Sequence, residues 1–333
     1  MNALRATSLG IAHPKDGDAA PAEEIPVGLS GFVVPWLTLG LLAVLIGIFA
    51  LENRFPVTMA VKGAPSLETL FAMGALSHAA ILSDGEWHRL FTAPLLHLNF
   101  AHLIGNGVAL LLGGWLFERL VGRLWFFAFF SLGALGGSLA SLAIEPANLI
   151  SVGASGALMG LFAGLFVSSF RIGSEHAGRI RLQISSMRVL IPSLLPFFSR
   201  STGIHVDYAA HFGGALVGAA LALVLLRLWP ETAAIPQARR AAATIASVGL
   251  ALFVASAGIV IGKYPEYRLA LSAPPTGAPA HPPPRTDTAI GGRAAYLRGN
   301  NATGVQSHGS LVPCGGKFFP NGRGAIPGIN CSN

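Results

Sequence analysis

Four polar residues in an otherwise apolar chain have the types and spacing to do chemistry. His102 and Asn106 stand four residues apart, which puts two hydrogen-bonding side chains on one helix face about a turn apart. Such a pair either hydrogen-bonds between helices or belongs to a functional site, since polar side chains inside a span are costly. Ser155 lies in Gly153-Ala154-Ser155-Gly156, with Gly160 and Gly164 further on. Small residues at every fourth position let a helix approach its neighbours closely, so helix association alone accounts for this stripe. A serine at the start of a helix has a second use, because the first backbone N–H groups there are unpaired and form ready oxyanion donors. His211 stands in Ala210-His211-Phe212-Gly213-Gly214, and Gly214 with Gly218 forms a second close-contact stripe. Two glycine faces in contact would bring His211 near Ser155. A histidine in that position either satisfies a carbonyl or takes the proton that makes a serine hydroxyl nucleophilic. Asp207, one turn before His211, has the place of an orienting acid, but it also precedes the apolar run where a helix cap belongs, and the cap is the reading favoured here. His97, His205 and the Glu118-Arg119 pair read as rim or connection residues. No His-Glu-x-x-His, phosphate loop or dinucleotide fingerprint occurs in the sequence, so no metal and no cofactor is expected.

The elements that must position these residues are membrane spans. Of the 333 residues 52% are hydrophobic and 11% charged, against roughly 25% charged in a soluble domain. A mean hydropathy of +0.60 points the same way and excludes a soluble fold. Windows near the roughly 20 residues a spanning helix needs run Phe32 to Leu51, Leu95 to Phe117, Leu124 to Ile144, Tyr208 to Trp229 and Ala241 to Ile261. Ser155 to Phe170 is shorter and must rely on neighbouring helices. Leu182 to Phe198 carries Arg188, Pro192 and Pro196 and is the weakest candidate; counting it makes seven spans. The segment from Glu52 to Pro94 is amphipathic and reads as an interfacial loop structure. Basic residues outnumber acidic ones 22 to 15, and they sit in alternate connections: Arg119 and Arg123, then Arg171 to Arg188, then Arg239 and Arg240. That pattern is topology, placing the N-terminus in the cytoplasm and the C-terminus outside, and no basic run suits nucleic acid. The N-terminal 30 residues lack the pattern of a cleaved signal peptide. The resulting division is a cytoplasmic tail over 1–30, a membrane domain over 31–262 with its core at about 86–229 and an extra helix at 241–261, and a Pro/Gly-rich tail over 263–333. Outside the membrane, Cys314 and Cys331 would form a disulfide.

The second, fourth and sixth spans run from outside to inside in this scheme, so His102, Asn106, Ser155 and His211 all fall in the outer half of the membrane. With that placement the chain resembles the rhomboid family of intramembrane serine proteases. The likeness runs from about Glu86 to Gly218 and is carried by Glu86-Trp87-His88-Arg89-Leu90-Phe91-Thr92, His102-x-x-x-Asn106, Gly114-x-x-x-Glu118-Arg119 with Gly122, Gly153-Ala154-Ser155-Gly156, and Ala210-His211 with its glycines. Each motif is weak alone; their order and alternation are specific. The resemblance implies an all-α membrane protein with a six-helix core plus one C-terminal helix. It implies Ser155 as nucleophile and His211 as general base, with His102, Asn106 and the Ser155 N–H holding the oxyanion. It further implies transmembrane proteins as substrates, cut where small or helix-breaking residues let the helix unwind, in a lipid bilayer that would be a bacterial plasma membrane. Met159 departs from relatives that carry an aromatic residue beside the histidine ring. A client-binding relative without catalysis would normally lack the serine or the histidine, and a transporter often has an internal repeat that this sequence lacks.

Overall fold

A computed structural model describes residues 34–58, 64–173, 176–195, 206–230 and 236–272. The disulfide expected of Cys314 and Cys331, His205 and the two termini lie outside these residues. The helices are α1 (Trp36–Arg54), α2 (Leu67–Ala72), α3 (His78–Leu82), α4 (Arg89–Thr92), α5 (Phe100–Val121), α6 (Arg123–Ile144), α7 (Ser155–Ser168), α8 (Ala177–Leu194), α9 (Tyr208–Arg227) and α10 (Arg239–Ser272). Two strands, β1 (Leu76–Ser77) and β2 (Ile150–Ser151), pair antiparallel. Among the described residues five helices, α1, α5, α6, α9 and α10, are long and apolar enough to cross a membrane. The fold is all-α, as expected for a membrane protein.

α7 is the axis of the bundle. At 14 residues it reaches only about 20 Å, short of a hydrocarbon core of roughly 30 Å. Every residue from Gly156 to Leu165 is buried, so neighbouring helices surround it in place of lipid. The glycines make this possible. A Cβ at Gly214 would fall on the carbonyl oxygen of Gly156, and one at Gly218 on that of Gly160, so α9 and α7 meet backbone to backbone. α6 closes the other side, with ideal Cβ positions at Gly133 and Gly137 lying 3.4 Å and 3.2 Å from the Cα atoms of Gly160 and Gly156. Gly164 continues the stripe in sequence but faces the Phe129 and Phe117 rings instead.

α8 occupies the place of the weakest candidate span, beginning at Ala177 with Arg179, Arg181 and Arg188 along it. Arg179 lies over the Phe170 ring at 4.6 Å, which packs the start of α8 against the residues that follow α7. Glu118 is not a rim residue. It is buried, and its Oε1 accepts from Thr38 N at 2.6 Å and Thr38 Oγ1 at 2.7 Å. A Cβ at Gly114 would collide with that threonine, so glycine at 114 and glutamate at 118 together dock α1 on α5.

The segment between α1 and α5 holds short helices, and its strand β1 pairs Leu76 with Ser151 and Ser77 with Ile150. α10 runs past Ile261 to Ser272 and meets this same segment. Its polar residues there find partners: Lys263 and Tyr267 both bond Glu86. Burial raises the Glu86 carboxyl, but Arg89, Lys263 and Tyr267 outweigh it and hold the group at about 2.

Candidate active site

Ser155 is the first residue of α7, half-buried, and Ala154 caps the helix without a side-chain hydrogen bond. The N–H groups of this first turn are therefore unclaimed by the helix itself. Gly153 sets the approach. Its φ of 124° is one that side-chain-bearing residues rarely adopt, and its N–H donates to Ala93 O at 3.0 Å. A Cβ on it would lie 2.6 Å from His102 Cε1, 2.8 Å from His102 Nε2 and 3.5 Å from Asn106 Nδ2. The structure thus brings the His102 and Asn106 side chains against the backbone two residues ahead of Ser155.

Asn106 is held from behind by His97. The Asn106 amide donates to His97 Nε2 at 3.1 Å, which occupies one of its two N–H bonds and leaves the other. The His97 and His102 rings meet edge to face with centroids 5.3 Å apart. An amide N–H can only donate, so Nε2 of His97 carries the lone pair this bond requires. Glu52 of α1 accepts from the His97 N–H at 3.1 Å. His97 is therefore a buried supporting residue rather than a rim residue. It precedes Asn99, the side chain that caps α5 by accepting from His102 N at 2.9 Å, so no helical period links it to Asn106 in the sequence.

His211 is buried on the first turn of α9, its Nδ1 2.7 Å from Ser193 O on α8. A carbonyl only accepts, so Nδ1 carries the proton and the neutral ring keeps its lone pair on Nε2. The two sequence readings of this histidine are thus compatible, one nitrogen satisfying a carbonyl while the other stays available. The backbone contact between Gly156 and Ala210, with an ideal Cβ at 156 lying 3.0 Å from Ala210 O, sets the residue after Ser155 against the residue before His211. Asp207 is the cap: Oδ1 accepts from Ala210 N at 2.8 Å, and Oδ2 takes the Ser141 and Ser151 hydroxyls at 2.5 Å each. It ties α6 and β2 to the start of α9. Met159 is buried in the core, and the aromatic neighbour of the His211 ring is Tyr208, with centroids 6.2 Å apart at 77°.

A cavity of about 20 Å³ opens beside these residues, lined by Ser138, Ser141, Ser151, Gly153, Gly156 and Ala157 among others. That is room for one water molecule or a small side chain. Among the described residues no group of histidine, cysteine and carboxylate side chains has the arrangement of a metal site.

Residues 84–228 match the family model of the Rhomboid domain. RHOMBOID-like protein 5 of Arabidopsis thaliana is 34% identical over 164 residues, 49% of this chain and 51% of that protein. Rhomboid protease GluP of Bacillus subtilis is 33% identical over 157 residues, 47% of this chain and 29% of that protein. Rhomboid-like protease 3 of Toxoplasma gondii is 32% identical over 157 residues, 47% and 58% respectively. The chain spans about half the length, or less, of most of these curated relatives. With five apolar helices long enough to cross a bilayer, the chain is an integral membrane protein in which residues 84–228, packed around α7, match the Rhomboid domain.

Proposed function

We propose that the chain is an intramembrane serine protease in which Ser155 is the nucleophile and His211 the general base. The observation that carries this reading is the orientation of His211. Its Nδ1 proton is committed to Ser193 O, so the free lone pair is on Nε2, on a helix that meets the Ser155 helix through glycine backbones. Nε2 takes the Ser155 proton as Oγ bonds to the scissile carbonyl carbon. The oxyanion is held by the Ser155 N–H, the His102 ring and the free Asn106 N–H. The imidazolium then protonates the leaving amine as the C–N bond breaks, and water, deprotonated by the same nitrogen, releases the acyl group. Substrates of this chemistry are transmembrane proteins that unwind locally, since an intact helix hides its amide carbons. The small, glycine-lined cavity favours a small residue at the cut.

The site lies at the end of the bundle opposite Arg119, Arg123 and Arg171, which is the outer end by the positive-inside rule; the N-terminus is then cytoplasmic and the C-terminal end of α10 outside. A membrane-impermeant fluorophosphonate tests both statements. It is expected to label Ser155 in sealed right-side-out vesicles. Labelling confined to inverted vesicles would reverse the orientation, and no labelling of the detergent-purified chain would remove the protease assignment.

Asn106 acts on the transition state in this scheme. Asn106→Ala should lower kcat on the order of 100-fold with little change in KM. Normal turnover with a raised KM would make Asn106 a substrate-docking residue instead.

A further inference from the structure

α10 lies outside the Rhomboid match, which ends at residue 228, yet its C-terminal part is bonded to the segment that leads into the site. Lys263 Nζ and Tyr267 OH each reach Glu86 Oε1 at 2.5 Å, and Arg89 Nε reaches Glu86 Oε2 at 2.7 Å. Arg89 donates through Nη1 to Phe71 O and Ala75 O at 2.8 Å each. Its guanidinium lies 4.3 Å from the Phe71 ring centroid and 5.6 Å from that of Tyr267. One turn either side, Tyr264 donates to Phe55 O, and Leu271 is buried with Val57, Phe71, Ala72 and Ala80. Lys263 and Tyr267 therefore stand inside a zone of continuous contact with the segment before α5.

From that zone two short connections run to the serine. Arg89 opens α4 and Thr92 closes it, its hydroxyl donating to Gly74 O at 2.6 Å. The next residue, Ala93, accepts from Gly153 N at 3.0 Å. In parallel, Ser138 of α6 donates to Leu90 O at 2.9 Å, and β1 is paired to β2 just ahead of Gly153. α4 is only four residues long, too short to hold its own place by backbone hydrogen bonds alone. What fixes it at the start is the Glu86–Arg89 pair, and what fixes the carboxylate of that pair from outside the segment is α10.

We propose that Lys263 and Tyr267 are positioning residues for the serine centre: from α10 they hold Glu86 and Arg89, and through Ala93 they set Gly153, and with it Ser155, against His102 and Asn106. This deepens the protease reading and rests on it. Loss of either contact shifts α4 and the carbonyl that anchors Gly153, so the expected cost falls on turnover. Displacements well below the size of an atom are costly at a reacting centre.

The test uses the full chain reconstituted in lipid, with Tyr267→Phe, Lys263→Met and Lys263→Arg assayed well below each melting temperature. Tyr267→Phe removes one hydroxyl and leaves the ring over Arg89. Cleavage of a single-span reporter substrate should show kcat reduced about tenfold in Tyr267→Phe and Lys263→Met at nearly unchanged KM, and largely restored in Lys263→Arg. Hydrogen exchange at the Gly153 amide should quicken in the first two variants and not in the third. A lowered melting temperature with unchanged kcat and unchanged Gly153 exchange would overturn the proposal, leaving these residues as supports of the fold alone. A wild-type chain that neither cleaves nor takes up a fluorophosphonate would sink the protease reading by itself; Gly153 exchange would then still decide the clamp, which fails if protection is retained.

Discussion

Ser155→Ala and His211→Ala are each expected to abolish cleavage of a reconstituted single-span substrate, and the double variant to lose little more than either alone. The proton that leaves Ser155 has one acceptor in this scheme, the Nε2 of a ring whose Nδ1 is committed to Ser193 O. Without the histidine the hydroxyl stays protonated near pH 7, and without the serine the base has nothing to activate. Residues that act as one unit give non-additive losses, here on the order of 10⁴-fold or more for each single change. Both variants should remain folded. Ser155 is half-buried and loses only a hydroxyl, while His211 gives up one hydrogen bond and leaves a cavity that lowers the melting temperature without removing the bundle. Turnover of Ser155→Ala at the wild-type rate would end the assignment. Losses that add in the double variant would give the two residues separate roles.

The glycine stripes of α7 and α9 are legible because each repeats at the helical period and a chemically capable residue sits at its head. The contribution of α6 is not legible in that way. Gly133 and Gly137 also stand four apart, but no histidine or asparagine on α6 draws attention to that face, and only the packing shows that Gly137 meets both Gly156 and Ala210 O. His97 escapes for a related reason: it lies before the cap of α5, off the period that joins His102 to Asn106. Hydropathy finds α10 but ends it at Ile261, because Lys263, Tyr264 and Tyr267 look like residues returning to water. Their partners, Glu86 and Phe55, are 177 to 209 positions away in sequence, a separation that no local pattern spans. Glu118 is the same case at the other face, read as a connection residue until Thr38 of α1 is brought to it. The paired contacts of the site are thus readable where both partners lie on spans with a stripe, and unreadable where a loop or an added helix supplies one of them.

The close approach of α7 and α9 makes Gly214→Ala the most informative change away from the reacting atoms. On helix propensity alone the substitution favours the folded state by about 1 kcal/mol. The new Cβ, however, would fall on the carbonyl oxygen of Gly156, a backbone atom in a buried helix that no rotamer change can withdraw. α9 must then move away from α7, carrying His211 with it while Ser155 stays fixed by the Gly153–Ala93 bond. Overpacking of this kind costs roughly 1–3 kcal/mol or more, and a shift of about 1 Å at the reacting groups costs on the order of 100-fold in rate. Gly105→Ala is the matched control: it lies on α5 one residue from Asn106, and a Cβ there meets nothing within 4 Å, so it should keep wild-type turnover and melt no lower. Gly214→Ala should lower both kcat and the melting temperature. The kinetic loss should exceed the stability loss, because the displaced histidine lies within one turn of the contact. Equal, near-wild-type behaviour of the two variants would mean that α7 and α9 do not meet at these glycines, and with that contact the proximity of Ser155 and His211 would lose its physical basis.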